Sequence, residues 1–308
     1  MAELIAALDV QTRAEAVEKV KLIGDAVGFY KIGLELYTAE GTDVVKAVKD
    51  LGKRIFLDLK FHDIPRTVER AVRSGGKLGV DLMTIHSVGG KAMIAAAHEA
   101  AAEFGAAAPK ILAVTVLTSL DQSDLADIGV VGRTPADQVK AMASFAVANG
   151  ADGLVCSPKE VGELSRTLKV GTLFITPGVR PAGAAVGDQK RVATPADAVR
   201  DGATHLVVGR PILGAADPSA RAALAATVTI RVRASRVAST LFIVVSSSFF
   251  SHYFLYLIAP ACSVARHLII RSPESRWQQK NLNSQINSFS MLNATVKLRL
   301  LCQINRSC

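Results

Sequence analysis

The segment Asp58-x-Lys60-x-x-Asp63 sets two carboxylates and an ammonium close together in the chain. Residues two apart on a strand project to the same face, so Asp58 and Lys60 would share one environment. If that environment is a protein interior, both charges are costly unless paired. For an isolated Asp-x-Lys step a structural ion pair is the alternative to a functional site. The addition of Lys31 on a neighbouring strand and of Asp63 favours the functional site, because two acids and two amines can alternate so that each lysine is flanked by carboxylates. Flanking carboxylates keep a lysine in its ammonium form, which makes it a proton donor rather than a nucleophile or Schiff-base former. A carboxylate held against an anionic substrate group would strain the ground state, and the ammonium would stabilise a developing carbanion. The chemistry implied is a cofactor-free reaction at a carbon acid.

Two later turns, Thr176-Pro-Gly-Val-Arg180 and Val208-Gly-Arg210, offer a different chemistry. Glycine lets backbone N–H groups approach an anion closely, and arginine presents a bidentate fork to phosphate. Either turn alone reads as a loop with a surface arginine. Both together favour a phosphate site.

These groups must be positioned by the elements between them. Short apolar, β-branched runs recur at Leu4–Leu8, Phe29–Ile32, Arg54–Leu59, Val80–Ile85, Ile111–Val116, Gly153–Val155, Leu173–Ile175 and His205–Val208. Helical patterns lie between them at Arg13–Val27, Gly41–Leu51, Thr67–Leu78, Lys91–Phe104, Pro135–Asn149 and Pro195–Asp201. Thr12, Thr134-Pro135, Ser157-Pro158 and Thr194-Pro195 are N-terminal helix signals. Eight strand–helix units predict an α/β fold, a (β/α)8 TIM barrel over residues 1–227. The alternative, a doubly wound open sheet, lacks a G-x-G-x-x-G turn after its first strand. In a (β/α)8 barrel the chemistry sits at the C-terminal strand ends. There the sequence places Asp9, Lys31, Asp58 with Lys60, His86, Thr118, Ser157, the Pro177–Arg180 turn and Gly209-Arg210. Loops seven and eight are where many such barrels hold a substrate phosphate.

The blocks ALDV (7–10), FYKIGLEL (29–36), FLDLKFHDIPRT (56–67), VTVLTS (114–119), TPGVRP (176–181), GDQKR (187–191) and VVGRPI (207–212) together resemble the bacterial orotidine 5'-phosphate decarboxylases over about residues 2–226. The resemblance implies a cytoplasmic homodimer that converts orotidylate to uridylate without metal or cofactor. It implies that Lys60 gives a proton to ring carbon six after carbon dioxide leaves, and that Asp58 lies against the substrate carboxylate. Lys31 and Asp63 would complete the charge chain, with Asp63, Ile64 and Thr67 reaching into the partner subunit's site. Asp9 and Lys31 would contact the ribose and Thr118 the region of the pyrimidine, while Arg180, Gln189, Gly209 and Arg210 would hold the phosphate. The segment Arg180–Arg191 would close over the substrate. Mg²⁺-dependent sugar-phosphate decarboxylases of the 3-keto-gulonate-phosphate type share D-x-K-x-x-D, but Ile64-Pro65-x-Thr67 and Gln189 argue against them. A barrel remnant acting as a tethered binding module is the non-enzyme alternative, and the intact Lys31, Asp58, Lys60 and Asp63 set speaks against it.

No H-E-x-x-H, C-x-x-C or other metal-ligand spacing occurs, so no metal is expected. His62 reads as a local hydrogen-bonder, His86 as a rim-packing residue and Cys156 as core. With one cysteine before residue 228 and no basic, cleavable N-terminal segment, the barrel is expected in a reducing cytoplasm.

The composition changes beyond the barrel. Residues 1–227 carry 26 Lys and Arg against 26 Asp and Glu; residues 228–308 carry 10 against one, Glu274, so the formal charge of +9 arises wholly in the second part. The basic total therefore says nothing about the barrel's partners, and no nucleic-acid partner is expected for it. All 23 glycines precede residue 228. Val237–Ala265 lacks any charged residue and is long enough to span a bilayer, but the serines at 246–248 and 251 and His252 weaken its centre. Residues 280–293 are Asn-, Ser- and Gln-rich and read as disordered. The tail 228–308 is therefore read as a frameshift or read-through product, a membrane anchor, or a soluble interaction segment. A membrane partner is expected only if the tail is genuine.

Overall fold

The computed structural model describes residues 2–179, 193–225, 242–248, 252–258 and 267–271. The chain divides into two compact units, Met1–Arg233 and Ala234–Cys308, where composition places the boundary at 227.

The first unit is a (β/α)8 barrel closed by eight parallel strands in sequence order. They are β1 (Glu3–Ala7), β2 (Phe29–Gly33), β3 (Arg54–Phe61), β4 (Leu82–His86), β5 (Lys110–Val114), β6 (Gly153–Val155), β7 (Leu173–Thr176) and β8 (His205–Val208), with β8 pairing back to β1. Seven of the helices between and after them are α1 (Arg13–Ile23), α2 (Leu34–Glu40), α3 (Thr42–Asp50), α4 (Pro65–Lys77), α5 (Gly90–Ala102), α6 (Gln122–Asp127) and α7 (Pro135–Ala148). They are followed by α8 (Pro158–Thr167), α9 (Pro195–Asp201) and α10 (Arg210–Leu213).

Local chemistry sets the helix starts. The repeated Thr-Pro-Ala-Asp of 134–137 and 194–197 opens α7 and α9: each proline sits in the first turn, and each threonine hydroxyl accepts from the aspartate amide three residues on, at 3.1 and 3.2 Å. Pro65 likewise starts α4 two residues before the position expected from periodicity. Helix α2 was not expected. It begins directly after Gly33 and ends at Gly41, whose φ of 61° favours glycine.

Strand alternation makes two cores. Outward-facing residues such as Tyr30, Ile32, Ile55, Leu57 and Ile111 pack against the helices, while Ile5, Phe29, Phe56, Leu82, Leu112 and Ile175 plug the barrel interior. Each fully buried large apolar side chain contributes about 1.5–3 kcal/mol relative to exposure. Continuing by twos from the plug toward the C-terminal mouth leads from Phe29 to Lys31, from Phe56 to Asp58, from Leu82 to Thr84 and from Val207 to Gly209. The plug supports the polar residues from beneath.

The N-terminal end carries a recurring clamp. The residue before each even strand accepts, through its carbonyl, from the first residue of the next odd strand: Gly28 from Arg54, Asp81 from Lys110, Asp152 from Leu173 and Thr204 from Glu3, at 2.8–3.1 Å. In three of the four the side chain also accepts a strand amide, Asp81 from Ile55, Asp152 from Ile111 and Thr204 from Phe174. Gly28 has no side chain to do the same.

The second unit has a three-stranded antiparallel sheet in the order β11-β10-β9, formed by β9 (Phe242–Ser248), β10 (His252–Ile258) and β11 (His267–Arg271). The stretch considered as a bilayer span thus holds two strands, in keeping with its Val, Ile, Tyr and Phe content. Among the described residues no helix is long and apolar enough to cross a membrane. Residues 280–293 lie outside the described residues.

Candidate active site

Four charged side chains meet above the plug at the C-terminal mouth. Lys60 Nζ donates to Asp58 Oδ1 at 2.9 Å, Lys31 Nζ lies 3.8 Å from Asp58 Oδ2, and Lys31 Nζ also reaches Asp9 Oδ1 at 3.3 Å. The order is Asp9–Lys31–Asp58–Lys60, with charge alternating along it. Asp58 is 9% exposed, so its pairing with both lysines offsets a substantial desolvation cost. Strands β1, β2 and β3 are adjacent in the barrel, which is why residues far apart in sequence line up in this order.

Lys60 arrives there by an unusual route. Between Leu57 and Phe61 the β3–β4 register slips: four residues of β3 advance against two of β4. Lys60, inside this bulge, has φ of 52° and is the one non-glycine with positive φ among the described residues. Such a conformation costs about 1–3 kcal/mol and persists where surrounding contacts enforce it. A repeat of two on a regular strand predicts the same pairing; the pairing is present, and a bulge makes it.

Thr84, buried on β4, accepts from the Lys60 amide at 2.8 Å and donates to Asp58 Oδ1 at 3.0 Å. Thr84 is not among the residues that spacing and charge single out. The available signal was a threonine between Leu82 and His86 on the inward face of an otherwise apolar strand.

Glycines leave room for the cluster. A Cβ on Gly33 would stand 3.0 Å from Lys31 Nζ, and one on Gly209 2.8 Å from Asp9 Oδ2. Arg210 is exposed and begins α10, with the Gly209 carbonyl accepting from Ile212 and Leu213. Thr118, half-buried, stands on the loop from β5 to α6. Arg180 and Gln189 lie outside the described residues, as does the rest of segment 180–192. Its flanks are brought together by a parallel bridge between Val179 and Ala193.

Asp63, Ile64 and Thr67 stand apart from the cluster. All three are exposed, the Asp63 carboxylate accepts its neighbour's amide from Ile64 at 2.7 Å, and no ion pair within this chain joins Asp63 to Lys60. His86, at the end of β4, lies against His62 with ring centroids 5.6 Å apart. Burial lowers its pKa from the usual histidine value, helped by the nearby His62 and Lys60. Among the described residues no group of three or more His, Cys, Asp or Glu is arranged to hold a metal ion.

An alternating ion chain on a rigid rim, floored by an apolar plug, can hold an anionic group beside a carboxylate while presenting an ammonium to a reacting carbon.

A sequence profile of the orotidine 5'-phosphate decarboxylase / HUMPS family matches residues 2–225. The orotidine 5'-phosphate decarboxylase of Anaeromyxobacter sp. (strain K) is 50% identical over 219 residues, covering 71% of this chain and 94% of the relative. That of Moorella thermoacetica is 47% identical over 225 residues, covering 71% and 89%. Among solved structures, orotidine 5'-phosphate decarboxylase from Lactobacillus acidophilus is similar with a TM-score of 0.67 at 37% identity, over 74% of this chain and 99% of that one.

Proposed function

From the premise that this chain belongs to the orotidine 5'-phosphate decarboxylase / HUMPS family, a family whose relatives named above are carboxy-lyases, we propose that it decarboxylates orotidine 5'-phosphate to uridine 5'-phosphate in pyrimidine biosynthesis, without a cofactor. The observation that carries this reading is the Asp9–Lys31–Asp58–Lys60 chain at the barrel mouth.

In the proposed reaction the substrate carboxylate lies beside Asp58. The bond to carbon dioxide breaks with its electron pair left on ring carbon six, and Lys60 Nζ gives that carbon a proton. Asp58, already paired through Oδ1 with Lys60, repels the departing carboxylate while holding the donor in place. Asp9 and Lys31 bind the ribose hydroxyls, and Thr118 contacts the pyrimidine. Arg210 and Gly209, with Arg180 and Gln189, take the phosphate. Phosphate binding far from the reacting carbon then favours the closed, reactive arrangement.

The working unit we propose is a homodimer in the cytoplasm. Leu34, Ile64, Val88 and Leu117 are exposed apolar side chains following β2, β3, β4 and β5, on the same rim as the site. A second copy covering them would bring Asp63, Ile64 and Thr67 toward its neighbour's cluster.

The test is the ultraviolet loss of orotidylate with EDTA present, using residues 1–227 and the full chain in parallel. Turnover insensitive to EDTA, and its loss in Lys60→Ala with substrate binding retained, is the expected result. Turnover that EDTA abolishes would move the chain to the Mg²⁺-dependent branch. A folded, inactive protein would overturn the decarboxylase reading.

A further inference from the structure

We propose that Thr84 is a positioning residue that sets both the orientation of the Asp58 carboxylate and the left-handed backbone of Lys60. The inference deepens the decarboxylase reading and rests on it only for its kinetic arm.

The hydrogen-bond inventory leaves one arrangement. The Lys60 amide can only donate and the Asp58 carboxylate can only accept. The Thr84 hydroxyl therefore accepts from Lys60 N at 2.8 Å and spends its single proton on Asp58 Oδ1 at 3.0 Å. That same Oδ1 receives Lys60 Nζ at 2.9 Å. One buried hydroxyl thus closes a ring through the carboxylate, the ammonium and the backbone of Lys60. With Oδ1 tied by two donors, Oδ2 is turned toward Lys31.

The bulge explains why a side chain is needed. Where β3 slips against β4, Lys60 has no paired residue on β4, and its amide donates instead to Thr84 Oγ1. A half-buried amide left unpaired would favour regular backbone at Lys60 and swing its ammonium away from Asp58. Thr84 is itself held rigidly: it is fully buried, and its strand neighbour Leu82 belongs to the plug.

The experiment uses Thr84→Val, which keeps the shape and removes the hydroxyl, and Thr84→Ser, which keeps the hydroxyl. Two readouts are taken on the full chain: exchange of the Lys60 backbone amide in the unliganded protein, and the kcat and KM for orotidylate. In Thr84→Val, Lys60 amide exchange should accelerate by about tenfold or more while the Ile5 and Ile111 amides stay protected. Its kcat should fall about 10- to 100-fold with KM changed less than about threefold. Thr84→Ser should restore both. Wild-type amide protection in Thr84→Val would overturn the inference, as would an unchanged kcat in an otherwise active enzyme. Should the valine variant not fold, Thr84→Cys, similar in volume and weak in hydrogen bonding, carries the same expectations. If the wild-type chain shows no turnover, the decarboxylase reading fails, and the amide exchange alone decides the role of Thr84.

Discussion

Gly209 approaches Asp9 so closely that a Cβ added to it would stand 2.8 Å from Asp9 Oδ2. Because Asp9 holds Lys31 at 3.3 Å, the missing side chain on β8's end controls the first link of the charge chain. Gly209→Ala should push the carboxylate aside and lower kcat/KM about tenfold or more. The melting temperature should fall by only a few degrees. Unchanged kinetics would show that Asp9 can move without disturbing Lys31.

The separation of Asp63 from the cluster makes a prediction about assembly. If the proposed homodimer shares its sites, Lys60→Ala and Asp63→Ala should each be inactive or nearly so. Co-expressed and exchanged into heterodimers, they should recover a measurable fraction of wild-type turnover, because one of the two sites then has both native residues. Verified heterodimers without recovery would place Asp63 in its own subunit's site or outside any.

Arg210→Ala addresses the phosphate end. An exposed arginine that clamps phosphate should contribute mainly to binding and closure, so KM for orotidylate should rise about 10- to 100-fold. Orotidine, which lacks the phosphate, should be processed equally by the variant and the wild type. Equal losses with both substrates would remove Arg210 from phosphate binding.

The clamp at the barrel's N-terminal end has three side chains and one vacancy. Gly28 occupies the position equivalent to Asp81, Asp152 and Thr204, its φ is not positive, and a Cβ there would meet nothing within 4 Å. Gly28→Thr should let a hydroxyl accept the Leu4 amide and should also restrict the unfolded chain. Together these stabilise by about 1–2 kcal/mol, or roughly 2–8 °C in melting temperature for a domain of this size. A lower melting temperature would show that the fourfold equivalence stops short of Leu4.

His86 gives the barrel a pH dependence of known sign. Its pKa is lowered in the folded state, by burial first and then by His62 and Lys60, so the folded protein keeps the imidazole neutral where the unfolded chain protonates it. Below the ordinary histidine value the unfolded state therefore binds more protons, and stability falls as pH drops through about 6.5 toward the folded-state value. His86→Asn should flatten the urea midpoint between pH 7 and pH 5. An equally steep slope in the variant would assign the dependence to other groups.

The strands were legible because parallel barrel strands are short apolar runs separated by strong helix signals. The expected and observed limits of β6 and β8 coincide, as do those of α9, whose start Thr194-Pro195 signals. Helix α2 was not legible, since Leu34–Glu40 follows β2 without the usual cap and its one fully buried residue is Leu36. In the site, Asp9, Lys31, Asp58 and Lys60 were readable as charges at strand ends. Thr84 was not, because a threonine in a strand is ordinary until its partners are known. The bulge at Lys60 was hidden for a related reason: register is a relation between two strands, and β3 alone reads as regular.

By itself, then, the order of residues determined which strand positions share a face, which end of each strand carries charge, and where composition breaks near residue 228. Those properties depend on residue type and a repeat of two, which are local. Tertiary structure alone decided that Asp9 joins Lys31, Asp58 and Lys60 in one line of alternating charge, and at what distances. It also decided that a buried hydroxyl on β4 takes up the amide of a left-handed lysine on β3. Distances of a few ångströms between side chains on different strands depend on barrel closure and interstrand register, and neither is encoded in any one segment.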